Sequence, residues 1–360
     1  MRIGVPKEIK NLEFRVGLTP SVVRGLTQCG HELFVETQAG AGIGLDDALY
    51  QAAGATVLDS ADGVFEAADL IVKVKEPQAV EIARLTPRHT LFTYLHLAPD
   101  PEQARGLQES GCTAIAYETV LGADGSLPLL APMSQVAGRM AVQVGAYHLL
   151  KPSGGRGVLI GGVPGVPPAK VVVLGGGVSG YHAAEMAVGL RADVSIFDVS
   201  ARKLAELDAH FGGAAKTCYS THDAVLEAVA QADLVIGCVL LPGAAAPKLV
   251  RREDLSSMRK GSVLVDVAID QGGCFESSHS TTHADPIYEV DGIVHYCVAN
   301  MPGAAPYTST FALNAVTAPY VSLLADGGTE QALASDPGLR AGLNVQNGQI
   351  MHAAVREALA

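Results

Sequence analysis

The sequence predicts an α/β protein of two domains, each built on a doubly wound, mostly parallel sheet. Three observations lead there. From residue 1 to about residue 127, short apolar runs alternate with helical stretches, the pattern of repeated βα units. Over 171–180, VVVLGGGVSG runs an aliphatic strand into Gly175, Gly177 and Gly180, and Asp198 closes a second apolar run, VSIFD. At 360 residues the chain also exceeds a single domain of roughly 100 to 200 residues.

In chain order, RIGVP, HELFVET, LIVKVK, TLFTYLH and TAIAYE read as strands. The stretches 21–29, 46–53 and 101–110 read as helices, each stopped by a glycine: Gly30, Gly54 and Gly111. Between 132 and 150 the period changes. Met133, Val136, Ala137, Met140, Ala141, Val144 and Leu149 approximate one helical stripe, with Pro132 in the first turn and Pro152 closing it. This long helix is expected to join the domains, with Met133 and Ser134 at its N-terminus. Residues 151–170, rich in Gly and Pro, read as a hairpin or extended loop.

The second sheet is expected from VVVL, DVSIFD, a run near 217–219, DLVIGCV, SVLVDVA and GIVHYCV, with helices at 178–190, 201–211, 224–230 and 252–258. After Pro302 a helical run with an internal Pro319 should kink and return the chain to its first domain; the tail to Ala360 also reads as helix. The boundaries expected are 1–128 with 308–360 for one domain, and 129–307 inserted as the other.

The glycine run has specific physical demands. Gly175 permits the tight strand-to-helix turn, Gly177 lets backbone approach a pyrophosphate, and Gly180 lets the helix pack close to the strand. A helix N-terminus there offers amides and positive dipole to phosphates. Asp198 suits the two ribose hydroxyls and repels a 2′-phosphate, so NAD is favoured over NADP.

In parallel sheets ligands bind beyond the carboxyl ends of the strands, where Arg15, Lys75, His96 and Glu118 stand in the first domain. A single charged residue there is ordinarily a solvated strand end; four at one sheet edge weigh more. Lys73 lies deeper and needs a partner, a carboxylate such as Glu118. In the second domain VDVAIDQGG presents Asp270 and YCVANMPG presents Asn300. The plain alternative for Asp270 is a turn residue before Gly272 and Gly273.

The chain carries 37 acidic and 25 basic side chains, a formal charge of -12, which argues against nucleic acid or an anionic membrane as partner. Its six cysteines show no metal-like spacing, so no metal site is expected and buried thiols in a reducing cytosol fit. The N-terminus has no apolar core of a secretory signal, and the apolar stretches are interrupted by charge or proline, so no membrane span is expected.

Taken in order, MRIGVPKEIKNLEFRVGLTP, IVKVKEP, LFTYLHLA, AIAYETV, LPLLAPMS, GRGVLIGGVPGV, GGGVSG, VDVAIDQGGCFE and VANMPGAAPYTST closely resemble the bacterial L-alanine dehydrogenases. The resemblance covers essentially the whole chain. It implies a Rossmann NAD-binding domain inserted into a flavodoxin-like catalytic domain, in a cytoplasmic homohexamer serving L-alanine catabolism. The implied reaction is reversible oxidative deamination of L-alanine by NAD to pyruvate, ammonium and NADH.

Carried over motif by motif, the resemblance makes Arg15 and Lys75 substrate-binding residues and His96 and Asp270 the general acid/base pair. It assigns cofactor contacts to Ser134, Val178, Asp198, Lys203, Ser220, Val239, Leu240, Val267, Ala268, Ile269, Asp270, Val298, Ala299, Asn300 and Met301. His279 stands where some of these enzymes place an arginine that also approaches the cofactor. The NAD-binding subunit of proton-translocating transhydrogenase resembles the chain too, but lacks the Lys75, His96 and Asp270 set. A catalytically dead NAD sensor would tolerate loss of His96 or Asp270, and both are present.

Overall fold

The computed structural model of the protein describes residues 1–239 and 246–359. Its strands are β1 (Arg2–Val5), β2 (Glu32–Glu36), β3 (Thr56–Leu58), β4 (Leu70–Val72), β5 (Thr90–Thr93), β6 (Thr113–Ala116), β7 (Lys170–Leu174), β8 (Asp193–Asp198), β9 (Ala215–Tyr219), β10 (Leu234–Gly237), β11 (Val263–Asp266), β12 (Ile287–Val290), β13 (Ile293–Tyr296), β14 (Leu343–Gln346) and β15 (Gln349–Ile350). They form two sheets, ordered β15-β14-β6-β5-β4-β1-β2-β3 and β12-β13-β11-β10-β7-β8-β9. The chain divides into two compact units, Met1–Met133 with Ala305–Ala360, and Ser134–Ala304.

In the first unit β1 to β6 are all parallel. Five of them, β2-β1-β4-β5-β6, run in the 2-1-3-4-5 order of a flavodoxin-like sheet, and β3 widens it at one edge. At the other edge β14 lies antiparallel to β6 and pairs with β15. The tail is helical at Thr329–Ser335, Pro337–Ala341 and Ala353–Leu359, and this hairpin between them corrects the wholly helical reading. Its turn residues, Asn347 and Gly348, are both left-handed at φ +50° and +73°, the geometry for which Asn-Gly is preferred. The helix Pro306–Gly327 is one element through Pro319, where the sequence predicts a kink. Its Asn314 accepts from the amide of Thr19 at 2.8 Å and donates to the carbonyl of Gly17 at 3.0 Å, fastening the returning chain to the loop after β1.

In the second unit the strands are parallel except for β12 at one edge. Side chains alternate across each strand. Val171, Val173, Ile236 and Val265 pack with Ala141, Ala183, Ala187 and Leu207, whereas Val172, Leu174, Val235 and Leu264 pack with Val225, Val229, Leu255 and Met258. Two separate cores thus bury the two faces of one sheet, which is why these strands read as unbroken apolar runs. In the loop 151–170, Val163 and Val166 exchange two backbone hydrogen bonds at a tight hairpin tip. The helix expected at 252–258 is a 3₁₀ turn, Glu253–Ser257. Among the described residues no helix is long and apolar enough to cross a membrane.

Strand β4 ends at Val72, so Lys73 and Lys75 lie beyond it rather than inside it. Lys73 has no exposed surface, and its partners are Glu8 at 3.0 Å and Glu81 at 2.7 Å. Glu118 is not among them. Glu8 comes from the segment following β1, the strand paired with β4, and Glu81 from the short helix Ala79–Ile82. Burial raises the pKa of Glu8 and opposes the charge on Lys73, but the two carboxylates keep the Lys73 ammonium above its usual value. Lys73→Met should lower the unfolding free energy by about 3–5 kcal/mol, read as a reduced urea midpoint, because two carboxylates stay buried without their counter-charge. Adding Glu8→Gln and Glu81→Gln should recover part of that loss; an unchanged midpoint for Lys73→Met alone would show that the triad contributes nothing.

Candidate functional site

Strands β1, β4 and β5 are parallel neighbours, so their carboxyl ends lie side by side. Arg15 lies in the loop after β1, and Lys75 and His96 each lie three residues past β4 and β5. Arg15 and Lys75 are buried and His96 is exposed. Glu13 accepts from Nε and Nη2 of Arg15 at 2.6 and 2.5 Å, fixing the plane of the guanidinium, and Nη1 meets the sulfur of Met133 at 3.2 Å. Burial works against this charge, but Glu13 outweighs it and the pKa of Arg15 rises.

The Lys75 ammonium stands 3.1 Å from Glu76, whose other oxygen pairs with Lys10. Burial pushes the Glu76 carboxyl up, yet the two cations prevail and hold it at about 2. Glu8 accepts from the amide of Val74 at 2.7 Å, and the Lys75 carbonyl accepts from Thr93 at 3.0 Å, so the backbone carrying Lys75 is held from both sides. His96 adopts a left-handed backbone, φ +49°, uncommon for any residue with a side chain. Its amide donates to Glu118 at 2.6 Å, and its ring stacks on Tyr94, 5.8 Å between centroids and 8° apart.

In the second unit the expected fingerprint has the geometry its spacing demands. Gly175 is left-handed at φ +97°, a Cβ on Gly180 would overlap the carbonyl oxygen of Gly175, and space beside Gly177 is open. The helix Val178–Gly189 begins there with no side-chain cap on its first turn. Gly138, one turn beyond Ser134 on the helix Ala131–His148, packs against the Ser179 carbonyl. Asp198 ends β8; its oxygens accept from the amides of Gly176 and Ser200, each at 2.8 Å.

The other expected contacts follow parallel strands of the same sheet. Ser220 follows β9 and its amide donates to the Asp198 carbonyl at 3.0 Å; Val239 follows β10; Val267, Ala268, Ile269 and Asp270 follow β11; Val298, Ala299, Asn300 and Met301 follow β13. Lys203, in the helix Ala201–Phe211, pairs with Glu206 at 2.7 Å. Asn300, like His96, is left-handed, φ +61°. The ring of His279 stacks on Tyr288 at 3.6 Å. Leu240 lies outside the described residues.

Several side chains that shape these positions carry no motif. Glu13 and Glu76 are each neighbours in sequence of the cation they hold, a weak signal in any charged loop. Asp266 is fully buried at the end of β11; it accepts from the amide of Cys274 at 2.9 Å and the hydroxyl of Ser278 at 2.5 Å, folding the loop after Asp270 back on itself. Its burial raises its pKa, against the pull of those hydrogen bonds.

Comparison with known proteins agrees with both halves of this geometry. The family model "Alanine dehydrogenase/PNT, N-terminal domain" matches residues 4–137, and "Alanine dehydrogenase/PNT, C-terminal domain" matches residues 141–353. The alanine dehydrogenase of Halomonas elongata is 58% identical over 358 residues, covering 99% of this chain and 96% of that protein. A solved L-alanine dehydrogenase superposes with a TM-score of 0.96 at 54% identity, covering 100% of both chains. A transhydrogenase from Sinorhizobium meliloti superposes at 0.84 with 27% identity, covering 98% of this chain and 100% of the other. With both domain models matched along its length, the chain belongs to the alanine dehydrogenase/PNT family.

Proposed function

We propose that this protein is an NAD-dependent L-alanine dehydrogenase: L-alanine, NAD and water give pyruvate, ammonium, NADH and a proton, reversibly. The observation that carries the reading is the convergence of Arg15, Lys75 and His96 on three adjacent strand ends. We assign substrate to the unit holding them and NAD to the other, with functional boundaries at 1–128 with 308–360 and at 129–307. The homohexameric assembly and cytoplasmic location are proposed from the resemblance.

The cofactor fits the residues present. The glycine turn, the open space beside Gly177 and the uncapped first turn of Val178–Gly189 suit a pyrophosphate, and Asp198 suits a ribose diol. When bound, NAD supplies the hydride acceptor. Ser134, Lys203, Ser220, Val239, Leu240, Val267 to Ile269, His279 and Val298 to Met301 are assigned to hold it.

The remaining chemistry falls to this chain's own side chains. Arg15 is a planar fork matched to the substrate carboxylate, and Glu13 fixes that plane. Lys75 is a compact cation for the oxygen at the reacting carbon, where negative charge develops when ammonia adds to the pyruvate carbonyl in the reverse direction. His96 and Asp270 are the pair that take a proton from the amine or from attacking water and return it in the reverse direction.

The related transhydrogenase fold supports a second reading, a module that binds nucleotide without an amino-acid substrate. Alanine-dependent NADH formation at alkaline pH, run beside serine, glycine and 2-aminobutyrate, decides between them; no turnover with any amino acid would overturn the dehydrogenase. Asp198→Ala should weaken NAD and relatively improve NADP, by removing repulsion of the 2′-phosphate. Equal use of both cofactors by the unaltered protein would contradict that role. Lys75→Ala should lose on the order of 10²-fold or more in kcat with NADH affinity nearly unchanged. An equal loss in NADH affinity would move Lys75 out of the substrate site.

A further inference from the structure

We propose that Glu118 is a positioning residue for His96, holding its backbone in the left-handed conformation that presents the imidazole at the strand end. The inference rests on the reading of His96 as an acid/base group. Three observations support it. A histidine at φ +49° is strained, and the conformation persists only where the surroundings impose it. The imposing group is Glu118: one carboxylate receives two consecutive amides, Leu95 at 3.2 Å and His96 at 2.6 Å. A single acceptor shared by successive N–H groups fixes the peptide plane between them, and no neutral side chain of similar size offers two acceptor oxygens.

The third observation is that the clamp is closed from other directions. Gln103 donates to the Leu95 carbonyl at 2.8 Å, so that residue is held at its carbonyl as well as at its amide. Tyr94, anchored by its hydroxyl to the Leu129 carbonyl at 2.6 Å, lays its ring parallel to His96. The Glu118 oxygen stands 4.0 Å from Nδ1 of His96, beyond hydrogen-bond reach, so its hold on this residue is through the backbone amides. Glu118 is itself fixed in the 3₁₀ turn Tyr117–Thr119 that ends β6, the strand beside β5. Sheet register therefore sets the imidazole's position through one carboxylate.

The test is a double-mutant cycle on the full-length protein, with kcat and KM measured for alanine and pyruvate and NADH affinity by fluorescence. Glu118→Gln keeps one acceptor but turns an NH₂ toward an N–H, and should lower kcat about 10- to 100-fold, with KM and NADH affinity within about threefold. In the His96→Ala background the same change should cost nothing further, because its only route to the reaction has been removed. An equal loss in both backgrounds would overturn positioning in favour of general structural damage, and a Glu118→Gln variant with normal kcat beside an inactive His96→Ala would overturn it outright. Near-normal turnover of His96→Ala would instead remove the acid/base reading on which the proposal rests. A second measurement needs no activity: His96→Gly should melt above His96→Ala, since glycine accepts this φ without strain, and the reverse order would show that position 96 is not under the constraint claimed.

Discussion

Parallel strand pairing is the constraint from which the rest of this structure follows. When six strands of a sheet run the same way, every connection must cross back over a face, and every strand delivers its next residues to one common edge. Arg15, Lys75 and His96 are far apart in sequence and have nothing local in common. They are neighbours because β1, β4 and β5 are. The same rule places the segments after β7, β8, β9, β10, β11 and β13 along one edge of the second sheet.

Bringing polar groups to an edge this well buried has an electrostatic cost, and the first unit meets it with carboxylates. Glu13 serves Arg15, Glu76 serves Lys75, and Glu8 with Glu81 serves Lys73. Isolated charges in such positions would shed or take up protons; paired, Arg15 and Lys73 keep theirs. The carboxylates also act on the backbone, since Glu8 and Glu118 each take amides from the turn that follows a strand. Glu8 therefore shapes a loop as well as neutralising a charge.

Much of this was legible in the sequence. The βα alternation, the VVVLGGGVSG turn and Asp198 depend on local rules: strand period, glycine at a left-handed turn, an acid at a strand end. What was not legible depends on which strands become neighbours. Lys73 visibly needed a carboxylate, but choosing Glu8 and Glu81 over Glu118 requires knowing that β1 borders β4. The β14–β15 hairpin escaped because its strands are too short for periodicity to register, although Asn347 and Gly348 marked the turn. Asp266 looked like an ordinary strand residue; its role follows from a chain reversal that brings Cys274 and Ser278 to it.

Asp198 has a further consequence. Its two oxygens accept from the amides of Gly176 and Ser200, so the acid proposed to take the ribose hydroxyls is also a structural brace of the glycine turn. On the proposed reading, selectivity and architecture share one side chain. Any redesign toward a phosphorylated nucleotide therefore has to supply substitute acceptors for those amides, for example a short amide or hydroxyl side chain at 198 together with a new cation nearby. A bare deletion of the charge would trade discrimination for a loosened phosphate cradle, and the two effects would be confounded in a single affinity measurement.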